Sequence, residues 1–131
     1  MKLSEVLVVE DNVGEVLLIR KALADCPVAT HVRTALDGEQ ALQILREPNF
    51  KPDLIILDLK IPKLSGHSVL ALRPQNACPV VVFTVSQDRT DAVRALQLGA
   101  SAYVHKPNDL DEYRATICEM VRKWSGCSSN A

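Results

Sequence analysis

Short apolar runs alternate with amphipathic segments along the whole chain. The apolar runs predict five strands, at residues 5–9, 30–35, 54–57, 79–84 and 100–104. The other segments predict five helices, at residues 15–24, 39–46, a short one from Gly66 that Pro74 ends, 89–98 and 109–124. Strands joined by single-helix crossovers form right-handed βαβ units in a parallel sheet. We therefore predict an α/β fold in which a five-stranded parallel sheet carries helices on both faces.

The composition is that of one ordinary globular domain. The chain has 131 residues, 47% of them hydrophobic and 24% charged, and a formal net charge of −1. Because no basic excess is present, we expect no nucleic acid and no membrane among its partners. No apolar run reaches the ~18 residues that a membrane-spanning helix requires. The N-terminus carries no signal-peptide pattern, so we expect a cytoplasmic protein.

The cysteines show neither metal-binding nor redox spacing. They form no C-x-x-C pair and no cluster with the three histidines, and they are Cys26, Cys78, Cys118 and Cys127. We expect reduced core or surface thiols.

Polar side chains stand at the carboxyl ends of four predicted strands. Glu10 and Asp11 follow the first strand, Asp58 follows the third, Thr84 ends the fourth, and Lys106 follows the fifth. These ends share one edge of a parallel sheet, which is where open α/β sheets bind ligands. Singly, each residue has a simpler explanation as a turn or helix cap, a backbone partner or a solvated charge. Together they indicate a functional site.

This combination suits the transfer of a phosphoryl group onto Asp58. A carboxylate oxygen is a competent nucleophile and gives an acyl phosphate. Clustered carboxylates repel one another, and Mg²⁺, which prefers oxygen ligands, relieves that repulsion. The cation and Lys106 would neutralise charge on the transferred group, and the Thr84 hydroxyl would donate a hydrogen bond to it.

Five motifs make the chain resemble a response-regulator receiver domain of two-component signalling, over residues 5 to about 124. They are Val-Val-Glu10-Asp11-Asn, Leu-Asp58-Leu-Lys-Ile-Pro62-x₃-Gly66, Val-Phe-Thr84-x-Ser, Gly99-Ala-x-x-Tyr103 and Lys106-Pro107. The resemblance implies a flavodoxin-like (βα)₅ fold, as in chemotaxis regulators, with strand order 2-1-3-4-5. It also implies that Asp58 is the phosphoacceptor and that Mg²⁺ is held by Glu10, Asp11, Asp58 and the backbone carbonyl of Lys60.

The resemblance further implies a phosphorylation-dependent switch. Lys106 would pair with the phosphoryl group, and the Lys106–Pro107 peptide bond would be cis. Thr84 would move toward the phosphoryl group and Tyr103 would turn inward behind it. The face formed by the fourth helix, fifth strand and fifth helix would then present an altered surface.

The expected partners are a histidine kinase or phosphotransfer protein and a downstream protein target. The resemblance also implies a possible homodimer through the face formed by the fourth helix, fifth strand and fifth helix. We expect a receiver domain over residues 1–125, a short polar tail over residues 126–131 and no effector domain. Phosphotransfer and dephosphorylation would be self-catalysed, without other enzymatic activity. The opening Glu-Asp-Asn-x₂-Glu and the late tryptophan are most similar to single-domain regulators that serve bacterial phytochrome kinases.

Two other functions remain open from the sequence alone. A phosphorylation-independent adaptor would keep the fold without the chemistry, although the Asp58, Thr84 and Lys106 set argues against it. An aspartyl-phosphate hydrolase would need a cap insertion and a second catalytic aspartate near Asp58, and the sequence shows neither.

Overall fold

Five parallel strands form one sheet in the order β2-β1-β3-β4-β5 in a computed structural model that describes residues 3–74 and 78–125. The strands are β1 (Ser4–Val9), β2 (Thr30–Ala35), β3 (Leu54–Leu57), β4 (Val80–Thr84) and β5 (Ala102–His105). Every apolar run that predicts a strand forms one, and β5 begins two residues later than expected. The predicted fold class and strand order are confirmed.

Five α-helices connect and follow these strands. They are α1 (Val13–Asp25), α2 (Gly38–Leu45), α3 (Gly66–Leu72), α4 (Arg89–Gln97) and α5 (Leu110–Met120), and a π-helical turn, Val121–Ser125, continues α5. Each helix follows a residue whose side chain accepts a hydrogen bond from a backbone N–H of its first turn, and these caps are Asn12, Asp37, Ser65, Asp88 and Asp109. The third helix has only seven residues, which confirms the expectation from Pro74.

The sheet separates two hydrophobic layers. Alternate strand residues such as Leu7 and Leu57 pack against α2, α3 and α4, whereas their neighbours Val8 and Ile56 pack against α1 and α5. Central strands that are buried on both faces read as continuous apolar runs, which explains the sequence of β3. Leu110 was expected on the inner face of α5, but it is 53% exposed and the core cluster on that face begins at Tyr113.

No helix in the described part of the chain is both long enough and apolar enough to cross a membrane.

Two of the cysteines contradict the expectation of reduced thiols. Cys26, which caps the C-terminus of α1, forms a disulfide with Cys118 of α5, and their Cα atoms are 5.5 Å apart. The two residues are 92 positions apart in the sequence, so only the packing of α1 against α5 brings them together. Cys78 is partly buried, and burial raises the pKa of its thiol to about 12, so it stays protonated. Cys127 lies outside the described residues.

Reduction of the Cys26–Cys118 disulfide should lower the free energy of unfolding by about 2–4 kcal/mol, because the bond closes a long loop in the unfolded chain. Urea unfolding with and without a thiol reductant measures this difference. The Cys78→Ser variant should keep the sensitivity to reductant, and the Cys26→Ser/Cys118→Ser double variant should lose it. Equal stability of the oxidised and reduced wild-type protein would contradict the contribution of this bond.

Candidate functional site

Backbone hydrogen bonds continue the sheet beyond its strands and bring three loop residues to one edge. In each case the residue after a strand donates its N–H to a carbonyl at the end of the neighbouring strand. The bonds are Glu10 to Ala35 (3.0 Å), Asp58 to Val9 (3.0 Å) and Lys106 to Thr84 (2.8 Å). The positions of these three side chains are therefore set by the sheet.

The Lys106 ammonium lies among three carboxylates. Its Nζ is 2.7 Å from Glu10 Oε1, 2.7 Å from Glu15 Oε2 and 3.0 Å from Asp58 Oδ2. Glu10, Asp58 and Lys106 are 3%, 7% and 4% exposed. An ammonium has three N–H donors, and three acceptors lie within reach of it. The predicted convergence of Glu10, Asp58 and Lys106 is present in the structure.

The remaining carboxylate oxygens accept backbone hydrogen bonds. Glu10 Oε2 accepts from the N–H of Asn12 at 3.1 Å, and Asp58 Oδ1 accepts from the N–H of Lys60 at 3.3 Å. Both carboxylates are thus fixed at each of their oxygens.

Burial and neighbouring charges shift the pKa values of Glu10 and Lys106 in opposite directions. Burial raises the pKa of Glu10 to about 7, and the hydrogen bonds from Lys106 and Asn12 offset only part of that effect. Burial alone would lower the pKa of Lys106, but its hydrogen bonds with Glu10 and Glu15 and the charge of Asp58 raise it above its ordinary value. Lys106 therefore stays charged, and the acids around it remain in excess.

Thr84 and Tyr103 meet at the backbone of Ser86. Thr84 is fully buried, and its Oγ1 accepts a hydrogen bond from the N–H of Ser86 at 3.3 Å. The half-buried Tyr103 donates its hydroxyl to the carbonyl of the same residue at 2.9 Å. The Ser86 hydroxyl in turn donates to Asp91 in the first turn of α4 at 2.7 Å. This segment therefore links β4, α4 and β5.

Asp11, one of the expected metal ligands, lies outside the ion cluster that Lys106 forms with Glu10, Glu15 and Asp58. Asp11 is exposed, and it takes no part in the ion pairs of Lys106. Lys60, whose backbone carbonyl is the expected ligand, donates its backbone N–H to Asp58 Oδ1, and its side chain is exposed. Within residues 3–74 and 78–125, no three His, Cys, Asp or Glu side chains form a group that could hold a metal ion as they stand.

The Lys106–Pro107 bond contradicts the expectation of a cis peptide. The described residues contain no cis peptide bond, so this bond is trans. Trans is the favoured isomer before proline by about 0.5–1 kcal/mol, and the Lys106 side chain reaches Glu10 and Asp58 with the bond in this form.

Comparison with known proteins places these observations in a family. The family profile of the response regulator receiver domain matches residues 6–118. The chain belongs to the response regulator receiver family. A probable transcriptional regulator, ycf27, of Porphyridium aerugineum is 33% identical over 131 residues, which are 99% of this chain and 53% of that protein. The receiver spans about half the length of the ycf27 relatives that it matches.

Solved structures of similar proteins have the same fold. The phosphorylated cyanobacterial phytochrome response regulator RcpA is 31% identical, with a TM-score of 0.87 and coverage of 94% of both chains. The Mn²⁺-bound form of the response regulator Rcp1 is 28% identical, with a TM-score of 0.83 and coverage of 92% of this chain and 94% of that chain. The resemblance to receivers of phytochrome signalling is therefore supported by structure as well as by motif.

Glu15 of the ion cluster and Tyr113 next to it were not among the predicted site residues. Glu15 contacts Lys106, and the hydroxyl of Tyr113 donates to Glu15 Oε2 at 2.9 Å. The sequence presents Glu15 as an acid in the first turn of a helix and Tyr113 as part of an apolar stripe. The spacing Glu10-Asp11-Asn12-x₂-Glu15 was the available signal, because it places a third acid in the first turn of the helix that follows β1.

Gly66 holds the loop that carries Asp58. Its N–H donates to the carbonyl of Leu59 at 2.9 Å, and a Cβ at this position would lie 2.6 Å from the Asp58 carbonyl oxygen and 2.6 Å from Leu59 Cα. Only glycine allows the start of α3 to approach this backbone so closely.

Substitution Gly66→Ala should therefore lower the free energy of unfolding by about 1–3 kcal/mol, because backbone must move to admit the methyl group. Gly14→Ala is a matched control, since its Cβ would meet only the side-chain oxygen of Asn12, at 3.2 Å. Urea unfolding of both variants measures the difference. Equal stability of the two variants would contradict a steric requirement at Gly66.

The raised pKa of Glu10 should make stability depend on pH. The folded protein holds this proton with a pKa of about 7, against an ordinary value of 4.5, so the contribution is complete below pH 4.5 and is lost as the pH rises through about 7. The free energy of unfolding in chelator should fall by about 1–3 kcal/mol across that window. Glu10→Gln should remove this contribution to the pH dependence of stability. If the difference in the free energy of unfolding between wild type and Glu10→Gln does not change with pH, the assignment to Glu10 is contradicted.

Proposed function

We propose that this receiver accepts a phosphoryl group on Asp58 from a phosphohistidine and uses it to change a protein-binding surface. The Asp58 oxygen forms a bond to phosphorus as the donor's P–N bond breaks and the imidazole leaves. Phosphotransfer and later hydrolysis of the acyl phosphate are promoted by the receiver's own residues, so it acts as a signalling protein and not as an enzyme on small substrates.

The observation that supports this proposal most strongly is the contact between Lys106 Nζ and Asp58 Oδ2 at 3.0 Å. It puts a buried positive charge beside the proposed acceptor oxygen, where the negative phosphoryl group would arrive. Catalysis of phosphoryl transfer consists mainly of such positioning and charge stabilisation. Structural similarity to RcpA, whose phosphorylated form is known, agrees with this chemistry.

We propose that Mg²⁺ assists this reaction, held by Glu10, Asp11, Asp58 and the backbone carbonyl of Lys60. All four supply hard oxygen donors, and two of them, Glu10 and Asp58, share the single ammonium of Lys106, so the donor chemistry fits a divalent cation. When bound, the cation would neutralise charge on the phosphoryl oxygens. Rcp1, a similar structure, is known in a Mn²⁺-bound form.

The proposed switch uses the segment that joins β4, α4 and β5. Thr84 would move its hydroxyl from the N–H of Ser86 to a phosphoryl oxygen, and Tyr103 would pack inward behind it. Phosphorylation adds nearly two negative charges, which is enough to bias a two-state surface. The face of α4, β5 and α5 would carry the response, and Val93 and Leu96 on α4 already expose apolar surface at 45% and 49%.

The proposed partners follow from this role. The phosphoryl donor is a histidine kinase or a phosphotransfer protein, and the phosphorylated receiver binds a downstream protein or a second copy through the α4, β5 and α5 face. We assign the receiver unit to residues 1–125 and a short polar tail to residues 126–131.

Radiolabelled acetyl phosphate tests the acceptor site. The wild-type protein should incorporate label in the presence of Mg²⁺ and lose most of it in chelator, because charge on the incoming group would then be less well neutralised. Asp58→Asn should abolish labelling. Asp53→Asn is the matched control, since Asp53 lies at the opposite end of β3 and should leave labelling intact.

Labelling of Asp58→Asn at the wild-type level would refute the site. A wild-type protein that takes up no label with Mg²⁺ would instead favour a phosphorylation-independent adaptor.

A further inference from the structure

We propose that Glu15 is a positioning residue that, together with Tyr113, aims the Lys106 ammonium at the phosphorylation site. This inference rests on the proposed function of Asp58. The ammonium has three N–H donors, and its acceptors are Glu10, Glu15 and Asp58. If Glu10 and Glu15 hold two of the N–H donors, the third must point to Asp58, where the phosphoryl group arrives.

Glu15 differs from the other acids around the lysine. It lies in the first turn of α1, outside the sheet edge, and its side chain is 30% exposed. It is also the only one of the three that is not among the proposed Mg²⁺ ligands. Its carboxylate therefore stays available to Lys106 when Glu10 and Asp58 share their oxygens with a cation.

Tyr113 fixes the carboxylate of Glu15 from the other side. The buried Tyr113 donates its hydroxyl to Glu15 Oε2 at 2.9 Å, the same oxygen that lies 2.7 Å from Lys106 Nζ. Burial raises the pKa of Tyr113, and its bond to Glu15 raises that pKa further, so the hydroxyl remains a donor. A single carboxylate oxygen thus joins α5 to the lysine.

Phe83 completes the enclosure of the lysine. Its ring packs edge-on against Tyr113 with the centroids 5.1 Å apart, and Lys106 Nζ lies 5.8 Å from the same ring centroid. The lysine therefore has an aromatic surface on one side and the Glu15–Tyr113 pair on another. This packing leaves the ammonium few alternative positions as long as Glu15 is in place.

Removal of Glu15 has two opposing effects, and its variants separate them. The loss of a negative charge would favour an incoming phosphoryl group, whereas the loss of an acceptor would let the ammonium pivot on Glu10. Glu15→Gln removes the charge but keeps an acceptor oxygen, and Glu15→Ala removes both. If positioning dominates, only Glu15→Ala should be slow.

The test is the rate of labelling by acetyl phosphate as a function of its concentration, with Mg²⁺ present. We expect Glu15→Ala to lower the maximal rate about 10-fold, the low end of what residues that orient a site's ligands contribute. The half-saturating concentration should not change, because Glu15 does not touch the donor. Glu15→Gln should stay within about threefold of wild type, because it still orients the lysine. Glu112→Ala, which removes an exposed acid of α5, is the matched control and should behave as wild type.

A double-mutant cycle tests the part played by Tyr113. Tyr113→Phe removes only the hydroxyl and should lower the maximal rate about threefold, but it should have no further effect in the Glu15→Ala background, because it acts through Glu15. Urea unfolding of each variant confirms that it is folded.

If the wild-type protein labels and Glu15→Ala labels at the same rate or faster, the positioning role is overturned. Equal slowing by Glu15→Gln and Glu15→Ala, or additive effects of Glu15→Ala and Tyr113→Phe, would also overturn it. Failure of the wild-type protein to label would instead contradict the proposed function itself.

Discussion

The ion cluster around Lys106 is the interaction on which the site depends. One ammonium contacts the carboxylates of Glu10 just after β1, Glu15 in the first turn of α1 and Asp58 just after β3. Loss of one partner from a buried ion cluster is costly, because the other charges are left without compensation. The backbone of the sheet fixes two of these acids and the lysine, since each continues the pairing of a neighbouring strand. The fold and the site therefore share the same hydrogen bonds.

The cluster carries more negative charge than one lysine neutralises. Burial raises the pKa of Glu10, while the surrounding acids raise the pKa of Lys106. This imbalance favours a divalent cation and resists the arrival of a further negative group. The precise direction of the ammonium then matters more than its charge alone, which gives the contact between Tyr113 and Glu15 a place in the proposed chemistry. Through Tyr113, that contact also extends to α5, part of the proposed response surface.

Much of the fold was predictable because its signals are local. The runs that became β1 and β3 are apolar on both faces, and Asn12 and Ser65 cap the helices that follow them. The convergence of Glu10, Asp58 and Lys106 followed from the geometry of parallel strands. The Cys26–Cys118 disulfide and the Glu15–Tyr113 contact were not predictable, because both depend on how α1 packs against α5, and their partners are more than 90 positions apart. The trans bond before Pro107 differs from the prediction for another reason, because the expectation of a cis bond came from family resemblance alone.

The hydrogen-bonded state of the Lys106 ammonium tests the central claim most directly. In a protein labelled with ¹⁵N on its lysines, the ammonium of Lys106 should give a signal that exchanges slowly with water near neutral pH, unlike that of the exposed Lys60. That signal should disappear in Lys106→Ala and shift in Asp58→Asn and on formation of the acyl phosphate. A Lys106 ammonium that exchanges as fast as Lys60, and that does not respond to either change at Asp58, would contradict the proposed site.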